Sequence, residues 1–527
     1  MAHVAASPAA LELDAAPANK WAVAVAVAIG ALLEVVDASI VNVALKEMQT
    51  SLGASMSQAS WIVSSYAVAN VIVLPLAAWL GHRFGKKSYF IFSLVGFTAA
   101  SVLCGLSTTL PLLVIARVLQ GLTGGGLLAK AQSILFETFP KEEQPTAQAF
   151  FGAIVIAGPT IGPTLGGYIV TNVGWRWIFF INLPLGVLAV VLCLAALPAD
   201  GPLAAARKGI DWLAIGLLAV GLGCMQTFLE EGNSHDWFDD SLIVALFAAS
   251  LVSLVLFVRR ELRAEEPVVD LRVLGHRSLW AGSVLSVVMG MALYGGLFAV
   301  PIFAQTVLRY TSQQTGLLML PGALATALLM PVAGRLSRRM DPRLTLVMGA
   351  LLLAASLTML ASMNPQTGGD DLFWPLIVRS VGTTFMFLPL SLAALGPIPR
   401  KDIAAATGFY NLTRQLGGSI GVALLSTLLV RRQAFHEAVL AEKLVSNDPM
   451  TIERVDLLTR AMMASGASVA EAKQRALSLL SGSVAQQGSV MSFADTFWLA
   501  GVIIVLFLPL VMLLGKPQRG VKVEAGH

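Results

Sequence analysis

Charge is scarce along this chain, and a few charged residues fall inside long apolar runs. Glu34 and Asp37 lie three residues apart in one such run, so a helix there places both carboxylates on one face. Arg117 and Lys130 fall within a second run, and Arg379 and Arg414 within two others. An ionisable group inside a membrane is costly and is a functional candidate by default. His3, His82, His235, His276, His436 and His527 all sit in tails, loops or run edges. A proton carrier in the apolar core must then be a carboxylate. Only Glu34 and Asp37 lie well inside, since Glu137 and Asp495 fall at run ends. Burial disfavours a charged carboxylate and a nearby arginine favours it. A group balanced between the two can load and release a proton as its surroundings change. Two alternatives stand beside this reading. Asp37 and Arg117 could form a permanent pair that only holds helices together, and Lys130 could neutralise one of the carboxylates. Arg379 and Arg414 each read first as structural.

A different chemistry-free motif is as specific. Gly158-Pro159-Thr-Ile-Gly162-Pro163-Thr-Leu-Gly166-Gly167 repeats glycine at every fourth position. That spacing gives a helix a smooth face on which a neighbour packs closely, and the two prolines remove helix hydrogen bonds. Two other glycine clusters are decoys for phosphate binding. Gly81 to Ser88 misses the P-loop spacing, with Lys87 where Ser or Thr belongs. Gly124-Gly125-Gly126 lies within an apolar run. Cys104, Cys193 and Cys224 show no metal or disulfide spacing. With no nucleophile–base pair, cofactor site or metal constellation, an enzyme is not expected, and an ion gradient is the expected energy source.

The elements that must position these groups follow from composition. The 527 residues are 56% hydrophobic and 13% charged, with a mean hydropathy of +0.76. Soluble domains carry about 25% charged residues, so an all-α polytopic membrane protein is expected. Fourteen apolar segments are long enough to span: Trp21–Leu45, Gln58–Leu80, Tyr89–Leu106, Leu110–Leu135, Ala147–Val170, Ile178–Leu197, Asp211–Leu229, Ser241–Val258, Leu279–Val307, Thr315–Gly334, Leu344–Ser362, Phe373–Leu395, Ala404–Val430 and Phe493–Leu514. With the N-terminus inside, 21 of 35 Lys and Arg lie on the cytoplasmic side, among them Arg207, Lys208 and Arg338. The short outer loops hold three: Lys46, Arg176 and Arg309. This asymmetry obeys the positive-inside rule with both ends cytoplasmic. The net charge of +4 gives no nucleic-acid signature.

An internal repeat divides the chain. Residues 75–87 align without gaps on 331–343, with Pro75/Pro331, Ala77/Ala333, Leu80/Leu336 and Arg83/Arg339 identical and Lys87/Arg343 alike. Arg117 pairs more loosely with Arg379. The expected organisation is a cytoplasmic tail (1–20), a six-helix bundle (21–197), two inserted helices with a linker (198–278), a second six-helix bundle (279–515) and a tail (516–527). Parallel six-helix repeats with a site between them suggest alternating access. Within the second bundle, residues 431–492 form a long outer loop. There Arg431–Val445 is expected to continue the preceding helix, ended by Asn447, Asp448 and Pro449. Thr451–Ala464 and Ser468–Gln486 are expected as two further helices, the latter opened by a Ser468/Glu471 capping box and set apart by Gly466.

Taken together, these segments resemble the major facilitator superfamily, and more closely the fourteen-span drug:proton antiporters of the EmrB/QacA type. Leu33-Glu-Val-Val-Asp37 through Ala44 looks like that family's first-span motif, with Lys46 where the family has Pro. Arg117-Val-Leu-Gln120-Gly121 looks like the fourth-span motif, and Gly158 through Gly167 like the antiporter motif. Trp175 through Pro184, which includes Asn182, is a further family-like run. The resemblance implies that Glu34, Asp37 and Arg117 couple protons. It also places a cytoplasmic gate at Arg83, Gly85, Lys86 and Lys87. Ala78 replaces the gate motif's first Gly and His82 its acid, which leaves that loop without its locking carboxylate. The implied function is proton-driven export of hydrophobic or amphiphilic drugs across the bacterial inner membrane. The rivals are export of one metabolite, fatty acid or lipid, and a non-transporting sensor or scaffold. Candidate lining residues of a mostly apolar cavity are Trp61, Tyr66, Asn70, Gln120, Tyr294, Phe298, Phe385, Tyr410, Asn411 and Arg414, with packing or lipid contact as each one's alternative. Besides the lipid bilayer, protons and the substrate, the resemblance implies a periplasmic adaptor and an outer-membrane channel as partners.

Overall fold

A computed structural model describes residues 19–201, 210–444 and 449–514. Most of both expected tails, the Arg207/Lys208 pair and the helix-ending Asn447 and Asp448 lie outside them. Among the described residues every regular element is helical. The first part comprises α1 (Lys20–Ser51), α2 (Met56–Val73), α3 (Ala77–Phe84), α4 (Lys86–Leu106), α5 (Leu110–Gly124), α6 (Leu127–Thr138), α7 (Gln144–Asn172), α8 (Trp177–Phe180) and α9 (Asn182–Ala196). Two helices follow, α10 (Trp212–Glu231) and α11 (Ser241–Glu261). The rest comprises α12 (Arg277–Thr306), α13 (Ser312–Arg339), α14 (Pro342–Ala361), α15 (Gly369–Leu395), α16 (Ile403–Glu442), α17 (Pro449–Ala464) and α18 (Val469–Leu506).

Thirteen helical segments among the described residues are long and apolar enough to cross a membrane. The remaining expected span, Ala404–Val430, lies within α16. Its first half carries Asn411, Thr413, Arg414 and Gln415, which lowers its apolarity. In the first part, α1 packs against α2, α6, α7 and α9, and α7 packs on its other side against α13. Farther on, α12 packs against α16, α13 against α15, and α14 against α15 and α18. The α10–α11 pair leans on α2 and α16. Gln226 and Ser419 hydrogen-bond at 2.8 Å and Trp237 donates to Thr427 at 2.9 Å, which fixes that contact. Leu242, Leu251, Val252 and Val255 of α11 are exposed, as suits a helix that faces lipid.

The repeat extends further than the sequence alignment. Ser55 and Gln58 form a capping box before α2, and Thr311 and Gln314 form one before α13, both 20 residues ahead of the paired prolines Pro75 and Pro331. At its other end, Lys87 Nζ donates to the carbonyls of Leu194 and Leu197, at 2.9 and 2.7 Å. The aligned Arg343 donates through Nη2 to the Leu514 carbonyl. Both cations therefore close the carbonyl end of the last helical segment of their own repeat, where orphan acceptors favour positive charge.

The outer loop departs from expectation in one respect. α16 does run on to Glu442, α17 occupies the second expected position, and the Ser468/Glu471 box is formed. The third helix, however, is not separate. α18 runs unbroken from Val469 into the final span as far as Leu506, and a 3-10 segment at Leu508–Leu513 completes that span. Gly488 does not interrupt α18. A Cβ there would stand 2.7 Å from Glu437 Cγ, so the missing side chain lets α16 pack closely.

Candidate functional site

Asp37 and Arg117 meet in the middle of the first part, 0% and 1% exposed. Arg117 Nη1 donates to Asp37 Oδ2 at 2.6 Å. Gln120 Nε2 and Asn182 Nδ2 each donate to Asp37 Oδ1 at 2.9 Å. Arg117 spends its remaining reach on Gln120 Oε1 at 2.7 Å and the Ile62 carbonyl at 3.0 Å, with its guanidinium 4.1 Å from the Tyr66 ring. Ser101 holds Asn182 at 3.0 Å and donates onward to the Phe179 carbonyl. Six helices (α1, α2, α4, α5, α8 and α9) thus contribute to the network around one carboxylate. Sequence spacing marked Asp37, Arg117 and Gln120. Ser101 carried no signal, and Asn182 was visible only as part of a motif.

Glu34 stands apart from that cluster, one turn along α1. Asn70 Nδ2 donates to its Oε1 at 2.8 Å and the Leu128 backbone N–H to its Oε2 at 2.7 Å. Neither donor is charged. The Leu128 N–H is free because the fourth span is broken. α5 ends at Gly124, Gly126 takes φ +81°, which favours glycine, and α6 restarts at Leu127. The first N–H groups of a helix lack intrahelical partners, and one of them meets Glu34. The Gly124–Gly126 run therefore frees a donor for the site. Asn70 Oδ1 is buried without a hydrogen-bond partner. Lys130 does not reach either carboxylate. Its Nζ donates to Ser93 Oγ at 2.6 Å and lies 3.8 Å from the centre of the Tyr89 ring.

The glycine face of α7 packs on this same α1. A Cβ at Gly158 would come within 2.8 Å of Val35, one at Gly166 within 2.7 Å of Ile40, and one at Gly162 would run into Ser39 Oγ. Gly167 is buried beside them, and α7 continues through Pro159 and Pro163. At the membrane edge, Arg83 lies over Trp79 and Lys86 pairs with Glu137 at 2.7 Å. Gly85, at φ +91°, aligns with Asp341 in the second repeat. Asp341 caps its own helix by accepting from the Arg343 N–H at 2.9 Å. In the first repeat Asp200 does this from a distance, accepting from the Lys87 N–H at 2.8 Å and the Ser88 N–H at 3.0 Å. A Cβ at Gly85 would collide with that carboxylate. The capping carboxylate that Asp341 supplies in the second repeat is thus supplied in the first by Asp200, which the local sequence does not show.

A small cavity lies between α7 and the helices α12, α13 and α15. Its lining includes Ile156, Thr160, Leu293, Leu297, Thr326, Arg379, Ser380 and Thr383. The ten candidate lining residues lie elsewhere. Gln120 and Tyr66 belong to the Asp37 cluster, Asn70 to Glu34, and Trp61 is exposed. Asn411 donates to Gln132 at 2.7 Å and so ties α16 to α6. Tyr294 packs at Gly418, Tyr410 is fully buried, and Phe298 and Phe385 are half-buried. Arg414 is buried with its Nε and Nη1 unpartnered, its guanidinium 5.4 Å from the Phe387 ring centre.

Known proteins share this plan. A family model described as Major Facilitator Superfamily matches residues 27–422. The chain is 31% identical to the multidrug export protein EmrB of Escherichia coli K12, over 94% of this chain and 95% of that one. It is also 31% identical to the fatty acid resistance protein FarB of Neisseria gonorrhoeae, over 94% and 96%. A solved structure of a double-tryptophan XylE mutant superposes with a TM-score of 0.60 at 13% identity, over 95% of this chain and 97% of that one, a likeness of fold alone.

Proposed function

The chain belongs to the major facilitator superfamily and, within it, to the EmrB-type drug:proton antiporters; from that premise we propose that it exports hydrophobic or amphiphilic compounds across the inner membrane in exchange for protons, by alternating access. The observation that carries the reading is Glu34 held by two neutral donors beside a fully paired Asp37. As a carboxylate, Glu34 accepts from Asn70 and from Leu128. Once protonated, one oxygen becomes a donor and faces a donor. Two responses follow. Asn70 can turn its unpartnered Oδ1 toward the new O–H, or the Leu128 contact breaks and frees α6 from α1. A proton at Glu34 therefore changes the tie of α1 either to α2 or to the broken fourth span. The α7 glycine face lets α1 move against α7 with no side chain to unlock.

Asp37 is the second acceptor. A proton there would weaken its hold on Arg117 and leave that cation to Gln120, the Ile62 carbonyl and Tyr66. Drug-induced proton release in proteoliposomes tests the pair. It should disappear in Asp37→Asn and in Glu34→Gln, and full coupling in both variants would overturn the assignment. The division into bundles at 21–197 and 279–515, with both ends cytoplasmic, belongs to the same reading. A periplasmic adaptor that docks on the outer helices 431–492 is proposed with it. The rival reading is export of one metabolite, fatty acid or lipid on the same scaffold, which the name of the Neisseria relative favours.

A further inference from the structure

Arg379 has no use in that coupling scheme and is an expensive group to leave unused. It is 9% exposed and lines the cavity between α7 and the helices α12, α13 and α15. Among the described residues no carboxylate and no hydrogen-bond acceptor meets its guanidinium. An arginine cannot shed its proton, and a buried charge without a counter-charge is strongly destabilising. Two hydroxyls that line the same cavity are also uncommitted. Thr160 Oγ1 and Ser380 Oγ have no hydrogen-bond partner among the described residues, whereas Thr326 and Thr383 already donate to backbone carbonyls. Gly296 leaves open the space beside the guanidinium, since a Cβ there would stand 3.0 Å from Nη1. No Asp or Glu lines the cavity.

We propose that this cavity is a substrate subsite in which Arg379, Thr160 and Ser380 bind the carboxylate head of an anionic amphiphile, while Ile156, Leu293 and Leu297 contact the start of its apolar tail. The inference rests on the export reading and names its substrate class. A planar guanidinium fork matches a carboxylate in two parallel hydrogen bonds, and the two free hydroxyls line the same cavity as that fork. Thr160 also belongs to the helix whose glycine face packs on α1. Filling the cavity therefore acts on the helix that touches the proton-bearing one.

The test is equilibrium binding of radiolabelled dodecanoate and dodecyltrimethylammonium to the full chain in phosphatidylcholine nanodiscs. Arg379→Gln should weaken dodecanoate about tenfold or more and leave the ammonium compound unchanged. Arg379→Lys should recover part of the loss. Gly296→Ala retains the arginine and should also weaken dodecanoate, which covers the case where Arg379→Gln does not fold. Equal losses for both compounds, or unchanged dodecanoate binding, would overturn the proposal. Phosphatidylglycerol added to the discs should not displace dodecanoate; displacement would make a lipid head the occupant and refute the substrate assignment. A wild-type chain that binds dodecanoate through Arg379 but moves no amphiphile in proteoliposomes would refute the export reading alone.

Discussion

At the scale of single residues, Asp37 and Glu34 differ in what their loss would leave behind. Asp37 balances a buried Arg117, so Asp37→Asn strands a charge, at a cost of about 3–5 kcal/mol. Arg117→Gln strands the carboxylate instead. Each single variant should lower the thermal unfolding midpoint sharply. The double variant Asp37→Asn/Arg117→Gln should regain most of that stability and none of the proton coupling. If it stays as unstable as either single variant, the pair is not what balances the site. Glu34→Gln is different in kind. A carboxamide oxygen can still accept from Leu128 while its NH₂ donates to the free Asn70 Oδ1. Its unfolding midpoint should stay close to wild type while substrate-driven proton release is lost. A large loss of stability would show that Glu34 has a charged partner. The sequence exposed the acids because charge stands out in an apolar run. It hid part of their surroundings, since the Leu128 donor is a backbone group and Ser101, which holds Asn182, looks like any small polar residue. The free state of Arg379 was equally hidden, because a missing counter-charge is a fact about space rather than sequence.

Among the elements, α7 and α4 make the sharpest claims. Gly162 is packed so closely on Ser39 that one methyl overfills the contact. Overpacking of this kind costs roughly 1–3 kcal/mol, and Gly162→Ala should show that loss in thermal unfolding. Ser39→Gly in the same chain should recover much of it, because Ser39 Oγ is the atom in the way. No recovery would place the strain elsewhere in the helix. The N-terminus of α4 depends on Asp200. Burial alone would push that carboxyl up, but the Ser88 hydroxyl and the Ser88 and Lys87 N–H groups outweigh it and hold the carboxyl below its ordinary range. A carboxyl lowered by folding contributes stability above its unfolded value of about 4 and loses it as pH falls through the folded value. Asp200→Asn keeps one accepting oxygen but loses the charge and the other acceptor, and should therefore cost about 1 kcal/mol at neutral pH, with the gap to wild type closing below about pH 4. A gap independent of pH would mean that the charge of Asp200 does nothing. Element boundaries were legible where the signal was local, as in the Ser468 capping box. They were not where it was remote: Asp200 lies 113 residues from the Lys87 N–H it caps, and the close contact of Gly488 with Glu437 is not visible in the sequence.

The whole molecule is longer on one side than a membrane requires. α16 has 40 residues and α18 has 38, so each is close to 60 Å long at about 1.5 Å per residue. A hydrocarbon core is about 30 Å thick. The excess emerges at one face as a pair of helices. Arg432 and Asp495 join them at 2.5 Å, and His436 reaches the same carboxylate at 2.8 Å. α17 folds back on α18 and exposes Met450, Ile452 and Leu457. The continuation of α16 beyond its span was legible from the start, but that of α18 was not, because a moderately polar stretch does not reveal that it runs on into the final span. A rigid projection with exposed apolar residues is suited to hold a partner rather than to line a substrate path. Removing residues 449–466 deletes α17 and leaves the α16–α18 pair and every residue of the coupling site intact. The shortened chain should keep its proton-coupled transport in proteoliposomes at the wild-type rate. It should also lose co-purification with a co-expressed periplasmic adaptor. An adaptor that still co-purifies would move the docking surface off α17, and a loss of transport without any adaptor present would make α17 part of the transport cycle itself.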